Sequence, residues 1–150
     1  RVRADKENNM SREYPERPMV GVGVVVWRDD KFLLIQRGKP PRRGSWSLPG
    51  GAQELGETVR ETAAREIREE TGVEIEVKAL IDVFDTIARD DEGRVRLQYT
   101  LIDFTAEWRS GEPVAGDDAM GVRWAGLDEI EGYDLWKETA RAIRMSAASR

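Results

Sequence analysis

Residues 51–73 read GAQELGETVRETAAREIREETGV, and this stretch decides the fold. From Thr58 onward it has a helical pattern that stops at Gly72, a residue suited to the position just after a helix. Three apolar residues recur on one side at about 100° per residue: Val59, Ala63 and Ile67. The pattern predicts a helix over Thr58–Thr71 that packs this side against a sheet.

Three carboxylates lie beside that apolar stripe: Glu66, Glu69 and Glu70. Like charges on one helical side repel one another, and burying any of them costs free energy. A hard divalent cation such as Mg²⁺ or Mn²⁺ relieves both costs, because it prefers carboxylate and phosphate oxygens as ligands. The alternative is a solvated acidic face with ion pairs such as Glu61–Arg65. The residues alone leave both interpretations open.

Composition narrows the chemistry further. The 150-residue chain contains no Cys and no His, which excludes disulfides, the usual zinc sites, and Ser-His-Asp or Cys-His catalysis. Lys and Arg number 24 against 29 Asp and Glu, a net charge of -5 that argues against a general nucleic-acid binder. The longest apolar run, Met19 to Trp27, is too short to span a bilayer. No signal segment opens the chain, so we expect a cytoplasmic protein.

Strand patterns flank the predicted helix on both sides. They are rich in β-branched residues and cover Val20–Arg28, Lys31–Arg37, Ile75–Ala88, Arg94–Trp108 and Met120–Ala125. Two loops are predicted at Gly38–Ser47 and Glu112–Ala119. A second amphipathic helix over Asp134–Ala147 carries Trp136, Ala140, Ile143 and Ala147 on one side. We therefore predict an α/β fold, a three-layer α/β/α sandwich with a mixed, partly antiparallel sheet over residues 19–150, after a flexible arm at residues 1–18.

The quoted stretch resembles the Nudix box: Gly, five residues, Glu, seven residues, Arg-Glu, an apolar residue, any residue, Glu-Glu, any residue, Gly, and an apolar residue. All nine fixed positions match, namely Gly51, Glu57, Arg65, Glu66, Ile67, Glu69, Glu70, Gly72 and Val73. Nine constraints over 23 positions make a chance match very improbable. The preceding Ser47-Leu48-Pro49-Gly50 resembles the usual lead-in to the box. The resemblance implies a Nudix-type fold and a Nudix hydrolase.

The resemblance also implies roles for the matched residues. Divalent metal would be bound by Glu66, Glu69 and Glu70, together with the main-chain carbonyl of Gly50. Arg65 and Glu57 would form a supporting ion pair that orients the metal-binding turn. Because the chain has no His, the general base is expected to be Glu69 or an acid of the Glu112–Ala119 loop. Asp117 and Asp118 are the candidates there, with a plain solvated loop as the alternative.

Basic and aromatic residues supply candidates for substrate binding. Lys39, Arg42 and Arg43 form a basic island before the box, and Arg37 ends the strand that leads into it. These four residues are predicted to hold phosphate, with a solvated loop as the alternative. A base-stacking residue is sought among four aromatics, for each of which core or loop packing is favoured: Trp27, Trp46, Phe84 and Tyr99.

The stretch Arg37-Gly-Lys-Pro-Pro, followed by residues 44–50, resembles the bacterial ADP-ribose pyrophosphatase-like branch. We therefore expect metal-dependent hydrolysis of a diphosphate bond, with ADP-ribose as the favoured substrate and AMP and ribose 5-phosphate as products. The alternatives are a MutT-like nucleoside triphosphate diphosphatase and a non-catalytic, nucleotide-sensing Nudix-like domain. The expected partner is a small nucleotide, without nucleic acid or membrane, and a homodimer is left open.

Overall fold

The computed structural model describes residues 13–40 and 42–150. Along these ranges the strands are β1 (Met19–Arg28), β2 (Lys31–Arg37), β3 (Trp46–Ser47), β4 (Gly50–Ala52), β5 (Glu74–Arg89), β6 (Val95–Ser110) and β7 (Ala119–Gly126). The helices are α1 (Val59–Thr71) and α2 (Lys137–Ser149), with a 3-10 helix at Leu127–Tyr133 between β7 and α2.

The strands form one mixed sheet in the order β3-β2-β1-β6-β5. In addition, β4 pairs with β1 and β7 pairs with β2. The β1–β6 pair is parallel, whereas the remaining pairs are antiparallel. The predicted mixed, partly antiparallel sheet is therefore confirmed.

Strand β1 lies at the centre of the sheet and is apolar on both faces. Val22, Val24 and Val26 pack with α1 on one face. Val25 and Trp27 pack with α2 on the other face. A strand buried on both faces loses the usual alternation of apolar and polar residues, which explains its nearly continuous valine run. The two covered faces confirm the predicted α/β/α sandwich.

Helix α1 begins and ends with defined caps. The Thr58 hydroxyl accepts a hydrogen bond from the Glu61 N–H at 3.1 Å, and the Glu61 carboxylate accepts one from the Thr58 N–H at 2.8 Å. This reciprocal arrangement is a capping box. At the other end Gly72 adopts φ 78°, a left-handed conformation that glycine tolerates. The caps fix the register of the acidic residues of the box.

The predicted start of the last helix was wrong. Asp134 adopts a left-handed φ of 51°, so α2 begins only at Lys137. Trp136 therefore lies outside the helix and is 43% exposed, instead of joining the apolar side as predicted. Strand β3 falls inside the predicted loop Gly38–Ser47, and β4 was not predicted. Elements of two or three residues are too short to show a periodic pattern.

Residues 1–12 of the predicted arm lie outside the described residues. The Tyr14 N–H donates to the carbonyl of Arg96 at 2.8 Å, and the Tyr14 hydroxyl donates to Asp90 at 2.9 Å. These bonds dock the segment before β1 on the β5–β6 hairpin, while a domain boundary at residue 18 stays a prediction. Across the described ranges, every helix is too short or too polar to cross a membrane.

Candidate active site

Arg65 and Glu57 form the best-anchored ion pair of the box. The Arg65 Nη2 lies 3.0 Å from Glu57 Oε1, and its Nε contacts the other carboxylate oxygen. Glu57 also accepts hydrogen bonds from the Glu54 N–H and the Thr62 hydroxyl. The guanidinium of Arg65 lowers the pKa of Glu57 to about 2. The pair thus fixes the loop before α1 to the middle of the helix.

The same guanidinium reaches two further acids. Arg65 Nη1 lies 3.3 Å from Glu66 Oε2 and 3.1 Å from Glu69 Oε1. Its Nη2 also donates to the carbonyl of Ala52 in β4 at 3.1 Å. One partly buried cation therefore holds together the helix, the preceding loop and the edge of β4.

Glu66 and Glu70 lie where α1 meets β4. Burial raises the pKa of Glu66, and it raises the pKa of Glu70 to about 8. Glu70 Oε1 accepts a hydrogen bond from the Gly50 N–H at 2.7 Å, which opposes that rise. The charges of Glu66 and Asp118 add to it. Arg65 partly opposes the rise at Glu66, whereas Glu70 is costly to ionise unless a cation lies nearby.

Two glycines form the wall behind these acids. A Cβ at Gly51 would overlap the Glu66 carboxylate, and a Cβ at Gly50 would overlap the carbonyl oxygen of Val22. A side chain at either position would therefore displace the acid or separate β4 from β1. Glycine is therefore required at both positions, because the β4 backbone lies too close to Glu66 and to β1 for a Cβ atom to fit.

The donor set suits a hard divalent ion in its chemistry, because every candidate ligand is an oxygen. In residues 13–40 and 42–150, however, no three acidic side chains are close enough to hold one ion together. Glu66 and Glu69 point toward Arg65, and Glu70 faces the N–H of Gly50, not its carbonyl. Ion binding would thus require these side chains to turn, and the ligand set stays a prediction.

The acidic loop is tied to the end of α1. The Val114 N–H donates to the carbonyl of Thr71, and the Gly116 N–H donates to the carbonyl of Glu70, both at 2.9 Å. Asp117 and Asp118 are exposed on this loop. The loop therefore brings two carboxylates near the box, and the choice among them and Glu69 as general base stays a prediction.

The basic island is engaged in bonds of its own. Lys39 Nζ lies 2.7 Å from the carboxylate of Asp118. Arg37 and Arg43 donate to the carbonyls of Pro40 and Gly38, within their own loop. Arg42 is exposed. These contacts join the basic loop to the acidic loop, and phosphate binding by the four residues stays a prediction.

A cavity of about 280 Å³ opens on the α2 face of the sheet, beside Gly50 and Gly51. The lining comes from β1, β4, β6, the residue Leu48 before β4, and the start of α2 with the preceding Trp136. It includes Gly21, Gly23, Leu48, Gly50, Gly51, Tyr99, Leu101, Asp103, Trp136 and Thr139. Sequence reasoning missed Asp103. The available signal was a lone acid inside the apolar run of β6.

The four aromatic candidates separate clearly. Trp27 and Phe84 are 2% and 6% exposed, which confirms the packing interpretation for both. Trp46 packs edge-on against Tyr133, with ring centroids 5.4 Å apart. Tyr99 alone among the four lines the cavity.

The sequence matches the NUDIX domain over residues 17–147. With the box, the sandwich and the acids at the α1–β4 junction in place, the chain belongs to the Nudix hydrolase family.

Named relatives differ in the substrate that their names give. An ADP-ribose pyrophosphatase of Methanocaldococcus jannaschii is 41% identical over 113 residues, which are 75% of this chain and 64% of the relative's length. A Mycobacterium tuberculosis protein, provisionally named 8-oxo-dGTP diphosphatase 2, is 35% identical, with 87% and 93% of the two chains covered. The crystal structure of a MutT NUDIX hydrolase from Burkholderia pseudomallei has a TM-score of 0.74 and 33% identity, covering 87% of this chain and 98% of that one.

Proposed function

We propose that this protein hydrolyses a diphosphate bond in a nucleoside diphosphate derivative, using a divalent metal ion. The observation that carries the proposal is the placement of three acids where α1 meets β4: Glu66 and Glu69 contact Arg65, and Glu70 accepts a hydrogen bond from Gly50. Nudix hydrolases generally need divalent metal ions. Such an ion, when bound, neutralises the phosphates and acidifies a water molecule.

The residues of the box divide the work. Glu66, Glu69 and Glu70 would hold the ion, with the Gly50 carbonyl as a further ligand. The ion pair of Arg65 with Glu57 keeps the loop and helix in register, so that these ligands approach from one side. Glu69, Asp117 or Asp118 would take the proton of the attacking water, since a carboxylate within reach can act as a general base.

ADP-ribose is the first substrate candidate, with AMP and ribose 5-phosphate as products. Two observations support it. The sequence before the box, at residues 37–41 and 44–50, resembles the bacterial ADP-ribose pyrophosphatase-like branch, and the relative from M. jannaschii is named an ADP-ribose pyrophosphatase. A nucleoside triphosphate such as 8-oxo-dGTP is the second candidate, supported by the relative from M. tuberculosis, which is covered over a larger share of its length. Both candidates carry a nucleoside for the cavity and a phosphate chain for the acids.

A panel assay tests the proposal. The protein is incubated with Mg²⁺ or Mn²⁺ and with ADP-ribose, nucleoside triphosphates, nucleotide sugars and dinucleoside polyphosphates, and products are identified by mass spectrometry. We expect AMP from ADP-ribose, complete loss of turnover with a chelator, and recovery when metal is restored. Isotope-labelled water shows which phosphorus is attacked. Full activity in metal-free buffer would contradict the proposal.

Two other outcomes have defined meanings. A kcat/KM at least tenfold higher for a triphosphate, about 1.4 kcal/mol in transition-state binding, would replace ADP-ribose by the MutT-like alternative. Nucleotide binding without turnover of any compound would favour the sensing domain.

A further inference from the structure

The cavity on the α2 face exists because of two glycines. On β1, the positions that face α2 are Gly21, Gly23, Val25 and Trp27, since side chains alternate between the faces of a strand. Val25 and Trp27 fill the space under α2, where Ser146 bonds both Trp27 and Thr105. Past Val25 the glycines contribute no side chain. Leu101 and Asp103 of β6 lie against these glycines, and the hollow remains beside them as part of the fold.

One charged side chain faces this hollow. Of the described residues that line it, Asp103 alone is charged, and it is only 8% exposed. The backbone N–H of Gly23 donates a hydrogen bond to its carboxylate, and a Cβ at Gly23 would collide with Oδ1. Burial raises the pKa of Asp103 to about 6, so at neutral pH it is mainly an ionised acceptor. A carboxylate so enclosed gains from a further hydrogen-bond donor.

The other walls favour a flat, aromatic ligand. Tyr99 and Trp136 supply aromatic surface, and Leu48 and Leu101 supply aliphatic surface. Such a lining, with one buried polar group, is typical of a small-molecule site in which the polar group sets orientation. A planar heterocycle that carries an N–H group meets both requirements.

The position of the hollow connects it to the box. Gly50 and Gly51 line the hollow, while Glu70 accepts from the Gly50 N–H and the Glu66 carboxylate lies against Gly51. A nucleoside seated in the hollow would therefore direct its phosphates across these two glycines toward the acids.

We propose that Asp103 is a specificity-determining residue, whose carboxylate accepts a hydrogen bond from the amino group of a nucleobase seated in this cavity. The inference rests on the proposed function for the nature of the ligand. It adds a selection rule: bases with an amino group at the edge that faces Asp103 bind, and otherwise identical bases without it are rejected. A site with a buried polar group discriminates strongly against a ligand that leaves this group unpaired.

Binding of nucleoside monophosphates tests the rule without any need for turnover. Two pairs differ only by one amino group: AMP against purine riboside 5′-monophosphate, and GMP against inosine 5′-monophosphate. Affinities are measured by calorimetry with wild type and with Asp103→Leu. For at least one pair, we expect wild type to prefer the amino-bearing nucleotide by about tenfold or more. In Asp103→Leu this preference should fall to about twofold or less.

Asp82→Asn is the matched control. Asp82 pairs with Asp103 in the β5–β6 register but does not line the cavity, so this variant should keep the wild-type preference. The inference is overturned if wild type shows no preference in either pair, or if Asp103→Leu retains it. If Asp103→Leu does not fold, the wild-type comparison and Asp103→Ala, which removes the acceptor without adding an apolar side chain, decide, and the preference should likewise fall to about twofold or less in Asp103→Ala. If the wild-type protein selects amino-bearing nucleotides but hydrolyses none of the compounds in the panel, the proposed function is contradicted and the inference about Asp103 stands.

Discussion

The two faces of the sheet are filled in different ways. On the α1 face, three valines of β1 pack with Ala63 and Ile67, both fully buried, and the acids Glu66 and Glu70 lie at the edge where α1 meets β4. On the α2 face, packing is equally tight around Trp27 and Ile143 but stops at Gly23, beyond which the cavity opens. One face therefore presents a charged rim on a solid core, whereas the other contains a hollow.

This difference suggests a division of labour. A rim of acids on a rigid helix can hold a cation and phosphates at fixed positions, because the capped helix and the Arg65 network resist displacement. A hollow with one buried acid can recognise the shape and the donors of a base. Variants on the two faces should consequently separate turnover from recognition.

The largest effect is expected on the α1 face, for Glu70→Gln. The change keeps the shape and the hydrogen bond from Gly50 but removes the charge proposed to hold the cation. We expect kcat to fall by about 100-fold or more, since loss of a key electrostatic group costs roughly 2.7 kcal/mol or more in the transition state. Thermal stability of the metal-free protein should not fall, because burial penalises the Glu70 carboxylate. Initial rates at saturating Mg²⁺ and metal-free melts measure both effects.

Glu61→Gln is the control for this prediction. It makes the same chemical change on the same helix, at an exposed residue whose capping role glutamine can fill. Turnover should stay nearly intact. Near-normal turnover in Glu70→Gln would mean that the three acids are an ordinary solvated helix face. The α1 face would then have no catalytic role to set against the cavity of the α2 face.

A smaller effect is expected from the ion pair behind the rim. The pKa of Glu57 is lowered from 4.5 to about 2, so its stabilising contribution is present above pH 4.5 and is lost as the pH falls toward 2. Glu57→Gln should therefore reduce the free energy of unfolding by about 2 kcal/mol near neutral pH, between the roughly 0–1 kcal/mol of an exposed pair and the roughly 3–5 kcal/mol of a buried one. The deficit should shrink as the pH falls through that window. Urea unfolding across the pH range measures it.

Glu74→Gln provides the matched pair at the other end of the helix. Glu74 contacts Arg68 with two hydrogen bonds, as Glu57 contacts Arg65, but both partners are about half exposed. Solvent screening should leave little difference in stability at any pH. Equal losses in the two variants would show that the Arg65 network does not owe its strength to burial.

The sequence predicted the α1 face better than the α2 face, for a physical reason. The α1 helix, its apolar stripe and its bordering acids follow one helical period within a single continuous segment, so their proximity can be calculated from residue numbers. The sheet could be predicted equally well from the sequence, because five of its strands are long enough to show strand composition: β1, β2, β5, β6 and β7. The predicted family and fold were accordingly confirmed.

The cavity could not be predicted because its walls come from distant segments. Asp103 and Gly23 meet only through the parallel β1–β6 register, a pairing between strands about 80 residues apart that periodicity does not encode. Trp136 was misplaced because the left-handed turn at Asp134 depends on a non-glycine residue, which gives no sequence signal. The basic island was identified as a cluster, but its contacts with the acidic loop depend on how two loops fold together.

The smallest effect on stability is expected for Trp136→Ala, which sharpens the comparison on the α2 face. Trp136 is 43% exposed and precedes α2, so its removal should lower the free energy of unfolding by only about 1 kcal/mol or less, within the range of surface changes. If its ring lines the base site, affinity for AMP or GMP should still fall several-fold, because base–aromatic stacking contributes about 1–3 kcal/mol.

Leu127→Ala is the control, since Leu127 is 46% exposed but lies outside the cavity lining. It should change neither quantity appreciably. Urea unfolding and calorimetric titration of the two variants separate the outcomes. A large stability loss in Trp136→Ala with unchanged nucleotide affinity would identify Trp136 as a packing residue and remove one aromatic wall from the proposed base site.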